Sequence, residues 1–95
     1  IAVARRGAPM RVLAQELSGV VEVHIVEADL TTTEGVARTM EAIRQKGPLD
    51  YLINNAGFSV LGAFEREAID GQLAMVNLHI SATLSLCRAA IPFMR

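Results

Sequence analysis

The stretch that most constrains this chain is Leu49-Asp50-Tyr51-Leu52-Ile53-Asn54-Asn55-Ala56-Gly57. Tyr51-Leu52-Ile53 has no polar interruption, the pattern of a strand covered on both faces, and parallel sheets are where such strands occur. Two amides follow at its carboxyl end and a glycine closes it where the chain must turn. Open α/β sheets bind ligands in the crevice beyond their strands' carboxyl ends, so Asn54 and Asn55 are placed at a ligand edge.

The rest of the chain supplies a matching frame. Residues 1–4 read as the end of a buried strand. Pro9 suits the first turn of a helix, along which Met10, Leu13, Ala14 and Leu17 fall at helical spacing until Ser18-Gly19. Residues 20–28 alternate, with Val21, Val23 and Ile25 facing one way and Glu22 and His24 the other, as in a strand near a sheet edge. Thr31 and Glu34 have the spacing of a capping box, and Val36, Met40 and Ile43 form the apolar stripe of the helix that follows, which Gly47-Pro48 ends. A last helical pattern runs from about residue 65 or 69 to 94. Its face, Leu73, Val76, Ile80, Leu84 and Cys87 widened by Met75, Leu78, Leu86 and Ile91, is broad enough to pack on a sheet and on a second helix or subunit. The order strand, helix, strand, helix, strand, long helix predicts an α/β, Rossmann-like doubly wound parallel sheet in a single partial domain over residues 1–95.

Composition narrows the function classes. The chain has 95 residues, 52% hydrophobic and 20% charged, with a net charge of −1. Its mean hydropathy is +0.35 and its pI about 6.1. Neither disorder nor a polyanion partner fits these values, and nucleic acid is set aside. Cys87 is the only cysteine; with His24 and His79 isolated, no metal-ligand spacing occurs. The lone cysteine fits a reducing compartment, and no stretch approaches the roughly 18 or more apolar residues of a membrane span, so a cytoplasmic setting without a membrane is expected.

Candidate chemistry lies at the strand ends. Arg5 and Arg6 follow the first strand, where an arginine accommodates a 2′-phosphate and an acidic residue would take a ribose hydroxyl. Solvated surface is the plain alternative for that pair. Asp29 could accept from the exocyclic amino group of a base or could serve the next helix. Asn54 and Asn55 carry donors and acceptors without charge, while Ala56 and Gly57 let a ligand approach the backbone. Asn77, among Met75, Val76, Leu78 and Ile80, is a polar amide that would need a partner if buried.

In this order the residues resemble the short-chain dehydrogenases/reductases: Ala4-Arg5-Arg6, Ala28-Asp29-Leu30-Thr31, Asn54-Asn55-Ala56-Gly57 and Val76-Asn77-Leu78, across essentially the whole chain. The resemblance implies an NADP(H)-preferring fold, with NAD(H) as the other possibility. Arg5 would take the 2′-phosphate, assisted by Arg6, and Asp29 and Leu30 would hold adenine. Asn55, Ala56 and Gly57 would lie along the cofactor's ribose, and Asn54 would knit the central sheet. Asn77 would be the asparagine of the catalytic tetrad, shaping its helix and holding a water. It further implies hydride transfer with a small carbonyl/alcohol substrate and a homo-oligomer joined through the helix at 69–94.

The departures are equally specific. Neither Gly-x-x-x-Gly-x-Gly nor G-x-G-x-x-G occurs. The only tyrosine is Tyr51, with Asn55 four residues on, so Tyr-x-x-x-Lys is missing. In the resembled family a further strand lies between those at 1–4 and 49–53, so the chain is expected to be part of a longer polypeptide and inactive alone. The alternatives are a non-catalytic dinucleotide-binding or regulatory protein of the same fold, and an interaction fragment that uses the long helix.

Overall fold

The computed structural model describes residues 1–94. Two short strands, β1 (Ala2–Ala4) and β2 (Ile25–Glu27), pair in parallel, with Val3 opposite Val26. The ladder is extended at its ends, where the Ala2 N–H donates to the His24 carbonyl at 2.8 Å and the Ala28 N–H to the Ala4 carbonyl at 3.0 Å. A parallel pair needs a crossover, and helix α1 (Gly7–Glu16) provides it. Pro9 stands in its first turn, where no N–H is lost. Gly7 is buried with the Glu27 carboxylate over its α-carbon, and Glu27 in turn holds Arg11 at 3.1 Å. That solvated pair is the only role among the described residues in which the Glu27 side chain is seen.

The second strand is shorter than residues 20–28, and its buried face has the opposite phase from the one expected. Val26 and Ala28 are buried, Glu27 is exposed, and Val20 and Val21 lie in solvent before the strand begins. A three-residue strand pairs only as far as its partner does, and β1 ends at Ala4.

Helix α2 (Thr33–Lys46) starts one residue later than the Thr31–Glu34 capping box requires. Thr32 is the cap: its Oγ accepts the Gly35 N–H at 3.0 Å and donates to the Asp29 carbonyl at 2.7 Å. Thr31 is drawn away because its hydroxyl and N–H both go to the Asp29 carboxylate. Gly35 permits this junction, since a Cβ there would collide with the Asp29 backbone. Thr39, buried one turn on, returns its hydroxyl to the Gly35 carbonyl at 3.0 Å, so a polar residue inside the layer is satisfied by its own helix. Val26, Ala28 and Ala42 form one apolar cluster, and Ile43, Leu86 and Ala90 a second.

The expected third strand at 51–53 is not formed. Leu49 makes an isolated parallel bridge with Met94, and its N–H donates to the Phe93 carbonyl at 2.7 Å, but residues 51–60 have no regular secondary structure. Tyr51 is 83% and Ile53 81% exposed. The sequence asks for burial on both faces, yet no neighbouring strand among the described residues offers ladder partners, and a strand without a ladder has no hydrogen bonds to hold it. The sheet described has two strands. The radius of gyration, 15.0 Å, exceeds the ~13 Å of a compact domain of ~100 residues.

The last helical stretch begins at Ile69, after a separate 3-10 turn at Phe64–Arg66, and continues through four segments in three conformations: α3 (Ile69–Val76), a π-helical segment (Asn77–Ala82), α4 (Thr83–Ala90) and a 3-10 turn (Ile91–Phe93). Leu78, Ala82, Leu86 and Ala90 are its buried stripe, at spacings of four, and they face α2 and the cleft described below. Leu73, Val76, Ile80, Leu84 and Ile91 form a second, outer stripe that is exposed. Among the described residues Ile69–Phe93 is long and apolar enough to cross a membrane by length and composition, with a mean hydropathy of 1.3. This corrects the expectation that no stretch approaches the apolar length of a membrane span. An average over the helix absorbs its Ser, Thr and Asn residues.

Candidate functional site

A cleft of about 540 Å³ runs along β1 from Ile1 and Val3 to the carboxyl ends of both strands, floored by Thr39 and Ile43 of α2 and walled by residues 51–58 and by the buried stripe of the long helix. Its volume is within the ~300–1,000 Å³ of small-molecule and cofactor sites. Arg5, Asp29 and Leu30 reach it from the strand ends, Asn54 to Gly57 from the long loop, and Leu78, Ala82 and Leu86 from the helix.

The two arginines part company at this point. Arg5 lines the cleft, and its charge helps to hold the Asp29 carboxyl low. Arg6 is the cap position of α1, extended at φ −111° and exposed, and it is not in the lining. Consecutive residues leaving a strand point in opposite directions, so only one of the pair can face the crevice.

Asp29 is held more tightly than its position in a loop suggests. Its Oδ1 accepts the Thr31 hydroxyl at 2.7 Å and the Thr31 N–H at 2.9 Å. These bonds, the hydroxyl first, outweigh partial burial and hold its pKa below the ordinary carboxylate value, with Arg5 adding a smaller push in the same direction. The carboxylate is therefore charged and fixed, with Oδ2 unpartnered among the described residues. Both readings of Asp29 coexist, because its carbonyl anchors the cap of α2 while its side chain faces the cleft.

The amides behave differently from expectation. Asn54 and Asn55 are exposed, and Asn54 reaches the Cys87 sulfur at 3.6 Å and no strand. Knitting of a central sheet has no counterpart here because residues 51–54 have no strand beside them. Asn77 opens the π-helical segment and is likewise exposed, so no buried partner is required. Its side chain borders a second, smaller cleft of about 310 Å³ with Thr31, Thr32, Met40, Ser81 and Ser85, and not the main one. Its neighbour Leu78 faces the main cleft. Single-turn π segments occur often at functional sites.

The sequence offered no reason to single out His79. Its Nε2 stands 2.8 Å from the Phe58 carbonyl oxygen and 3.2 Å from the Phe58 nitrogen, and a Cβ on Gly57 would be 2.6 Å from its Cε1. A histidine two residues past Asn77 carries no local signal that it meets a glycine twenty-two positions earlier. No group of three or more metal-ligating side chains forms among the described residues.

Parallel strands joined by a helical crossover, helices packed on them and a cleft at the strand ends define a Rossmann-like α/β protein. The chain belongs to the short chain dehydrogenase family, which it matches over residues 1–95. It is 33% identical to the L-fucose dehydrogenase of Oryctolagus cuniculus over 87 residues, covering 90% of this chain and 30% of that protein. With the 3-ketodihydrosphingosine reductase of Bacteroides thetaiotaomicron it shares 31% identity over 75 residues, 78% of this chain and 28% of the relative. Two solved structures superpose closely. The bulky-bulky ketone specific alcohol dehydrogenase from Comamonas testosteroni gives a TM-score of 0.87 at 32% identity, over 95% of this chain and 37% of that one. A short-chain dehydrogenase from Sphingobium yanoikuyae in complex with NADPH gives 0.86 at 30% identity, over 95% and 36%. The chain thus spans less than a third of the length of these curated relatives.

Proposed function

We propose that this chain is the cofactor-binding portion of an NADP(H)-dependent oxidoreductase that moves a hydride between the nicotinamide and a small carbonyl/alcohol substrate. The observation that carries the reading is the convergence of Arg5, Asp29-Leu30 and Asn55-Ala56-Gly57, from three separate segments, on one cleft at the strand ends. The donor set fits a dinucleotide. A guanidinium presents a planar fork to phosphate oxygens, and the fixed Asp29 carboxylate has one oxygen left to accept from an exocyclic amine. Asn55 offers an uncharged donor and acceptor for ribose hydroxyls beside two residues with little or no side chain.

In this reading Arg5 binds the 2′-phosphate, Asp29 and the Leu30 backbone flank adenine, and Asn55, Ala56 and Gly57 run along the ribose. Arg6 contributes long-range charge and no contact. Asn77 acts through the shape of its helix and a held water, and the cofactor supplies the hydride. The tyrosine, lysine and serine of the family's proton transfer have no counterpart at matching positions in this sequence, so residues outside it carry that step and the isolated chain is inactive. The outer stripe Leu73, Val76, Ile80, Leu84 and Ile91 is assigned to a homo-oligomer interface, since its inner counterpart is spent on α2 and the cleft. A cytoplasmic setting belongs to the same proposal.

The test uses the full-length protein that carries this chain, incubated with NADPH and a panel of ketones while reduced nicotinamide absorbance is followed. Substrate-dependent oxidation of NADPH is expected. Cofactor binding without turnover of any carbonyl would favour a non-catalytic dinucleotide-binding protein instead.

A further inference from the structure

Residues 55–58 line the main cleft and open a segment, 55–62, that should be the least constrained part of its surroundings. They have no regular secondary structure, and they follow the segment at 51–54 that lacks a ladder. Among the described residues a single side chain hydrogen-bonds them to the rest of the chain, and that side chain is His79. Its Nε2 lies at 2.8 Å from the Phe58 oxygen and 3.2 Å from the Phe58 nitrogen. A neutral imidazole can use that nitrogen in one sense at a time. With the proton on Nε2 it donates to the Phe58 carbonyl; with the proton on Nδ1 it accepts the Phe58 N–H. Either tautomer holds the same residue.

Steric evidence points the same way. The imidazole occupies the space beside Gly57 in which any other residue would carry its Cβ, at 2.6 Å from His79 Cε1. The Phe58 ring lies over the imidazole at 6.3 Å between centroids, tilted by 45°. Gly57, Phe58 and His79 thus interlock, and the glycine is explained by the incoming histidine as well as by ligand approach. His79 is itself exposed. It sits between Leu78, which is buried against the cleft, and Ile80, within the π-helical segment that Asn77 begins.

We infer that His79 is a positioning residue for the cofactor: it fastens the Asn55–Phe58 segment to the long helix and so sets the width of the cleft at the ribose. The inference rests on the cofactor reading above. His79 has no contact with the bound dinucleotide in this account; it acts through Phe58 and Gly57.

The experiment is NADPH titration by fluorescence, with steady-state kinetics, on the full-length protein and its variants. His79→Ala should raise the Kd and KM for NADPH about tenfold, the equivalent of one lost hydrogen bond of ~1.4 kcal/mol, with a smaller change in kcat at saturating NADPH. His79→Gln, which keeps a donor and an acceptor near the Nε2 position, should recover most of that loss. Gly57→Ala should weaken NADPH binding by displacing the imidazole, and in the double variant with His79→Ala the two effects should not add. Wild-type affinity in His79→Ala would overturn the inference, as would a loss that Gln does not recover and that follows a lowered unfolding midpoint. Full additivity of Gly57→Ala and His79→Ala would overturn the interlock. A wild-type protein that binds neither NADPH nor NADH would instead remove the cofactor reading itself, which separates the two failures.

Discussion

Asp29 and Thr31 make a two-point contact at the cleft rim, in which one carboxylate oxygen accepts both the Thr31 hydroxyl at 2.7 Å and the Thr31 N–H at 2.9 Å. Two donors from one residue on one oxygen favour the ionised carboxyl, and its pKa is lowered accordingly. A carboxyl whose pKa is lower in the folded than in the unfolded state contributes stability that is fully present above its unfolded pKa. That contribution is lost as the pH falls through the lowered folded value.

Thr31→Val tests this directly. It removes the hydroxyl and leaves the N–H bond, so the variant should be less stable by no more than about 1 kcal/mol at neutral pH, because the pair is part-exposed to solvent. The difference should shrink below about pH 4, as the unfolded carboxyl protonates, and vanish at lower pH. Urea unfolding of both proteins across that range measures it.

Gly35→Ala probes the junction between the strand end and α2. A methyl group there meets the Asp29 backbone, which cannot rotate away as a side chain would. The expected loss is about 2 kcal/mol, in the range of overpacked sites, despite the gain in helix propensity. A midpoint equal to that of the wild type in chemical denaturation would show that the junction can open without cost.

Leu86→Ala tests the packing of the long helix. Leu86 is buried between Ile43 and Ala90 and also walls the main cleft. Truncation should cost about 3 kcal/mol, the middle of the range for buried leucines. Leu84→Ala, on the exposed stripe, should leave the unfolding free energy of the isolated subunit unchanged to within about 0.5 kcal/mol, and in this account should shift the oligomer equilibrium measured by light scattering.

How far the sequence carried depends on whether the cause was local. The helix at 33–46 follows from periodicity, and the structure forms it. On the long helix the face expected to pack, Leu73, Val76, Ile80 and Leu84, is exposed, and the buried stripe instead combines Leu78 and Leu86, expected only to widen that face, with Ala82 and Ala90. The order of Asp29, Asn55 and Asn77 was enough to suggest the family. The cap was missed by one residue because Thr31, Thr32 and Thr33 are equivalent as caps until the Asp29 side chain takes Thr31. Tyr51-Leu52-Ile53 reads as a strand on its own, but a strand exists only with a partner, and that is a property of the surroundings. The separation of Arg5 from Arg6 depends on strand direction at Ala4. His79 was invisible for a different reason: its partner lies across the fold, and nothing in His-Ile-Ser names Phe58.

The proposed binding of NADP(H) in this cleft through Arg5 carries the functional reading. Calorimetric titration of the full-length protein with NADPH and with NADH, repeated on Arg5→Ala, tests it most directly. The expected result is tighter binding of NADPH than of NADH in the wild type, by about tenfold or more for a charge-assisted phosphate contact, and loss of that preference in Arg5→Ala with NADH affinity little changed. Equal or tighter binding of NADH by the wild type, or an NADPH preference that survives Arg5→Ala, would contradict it.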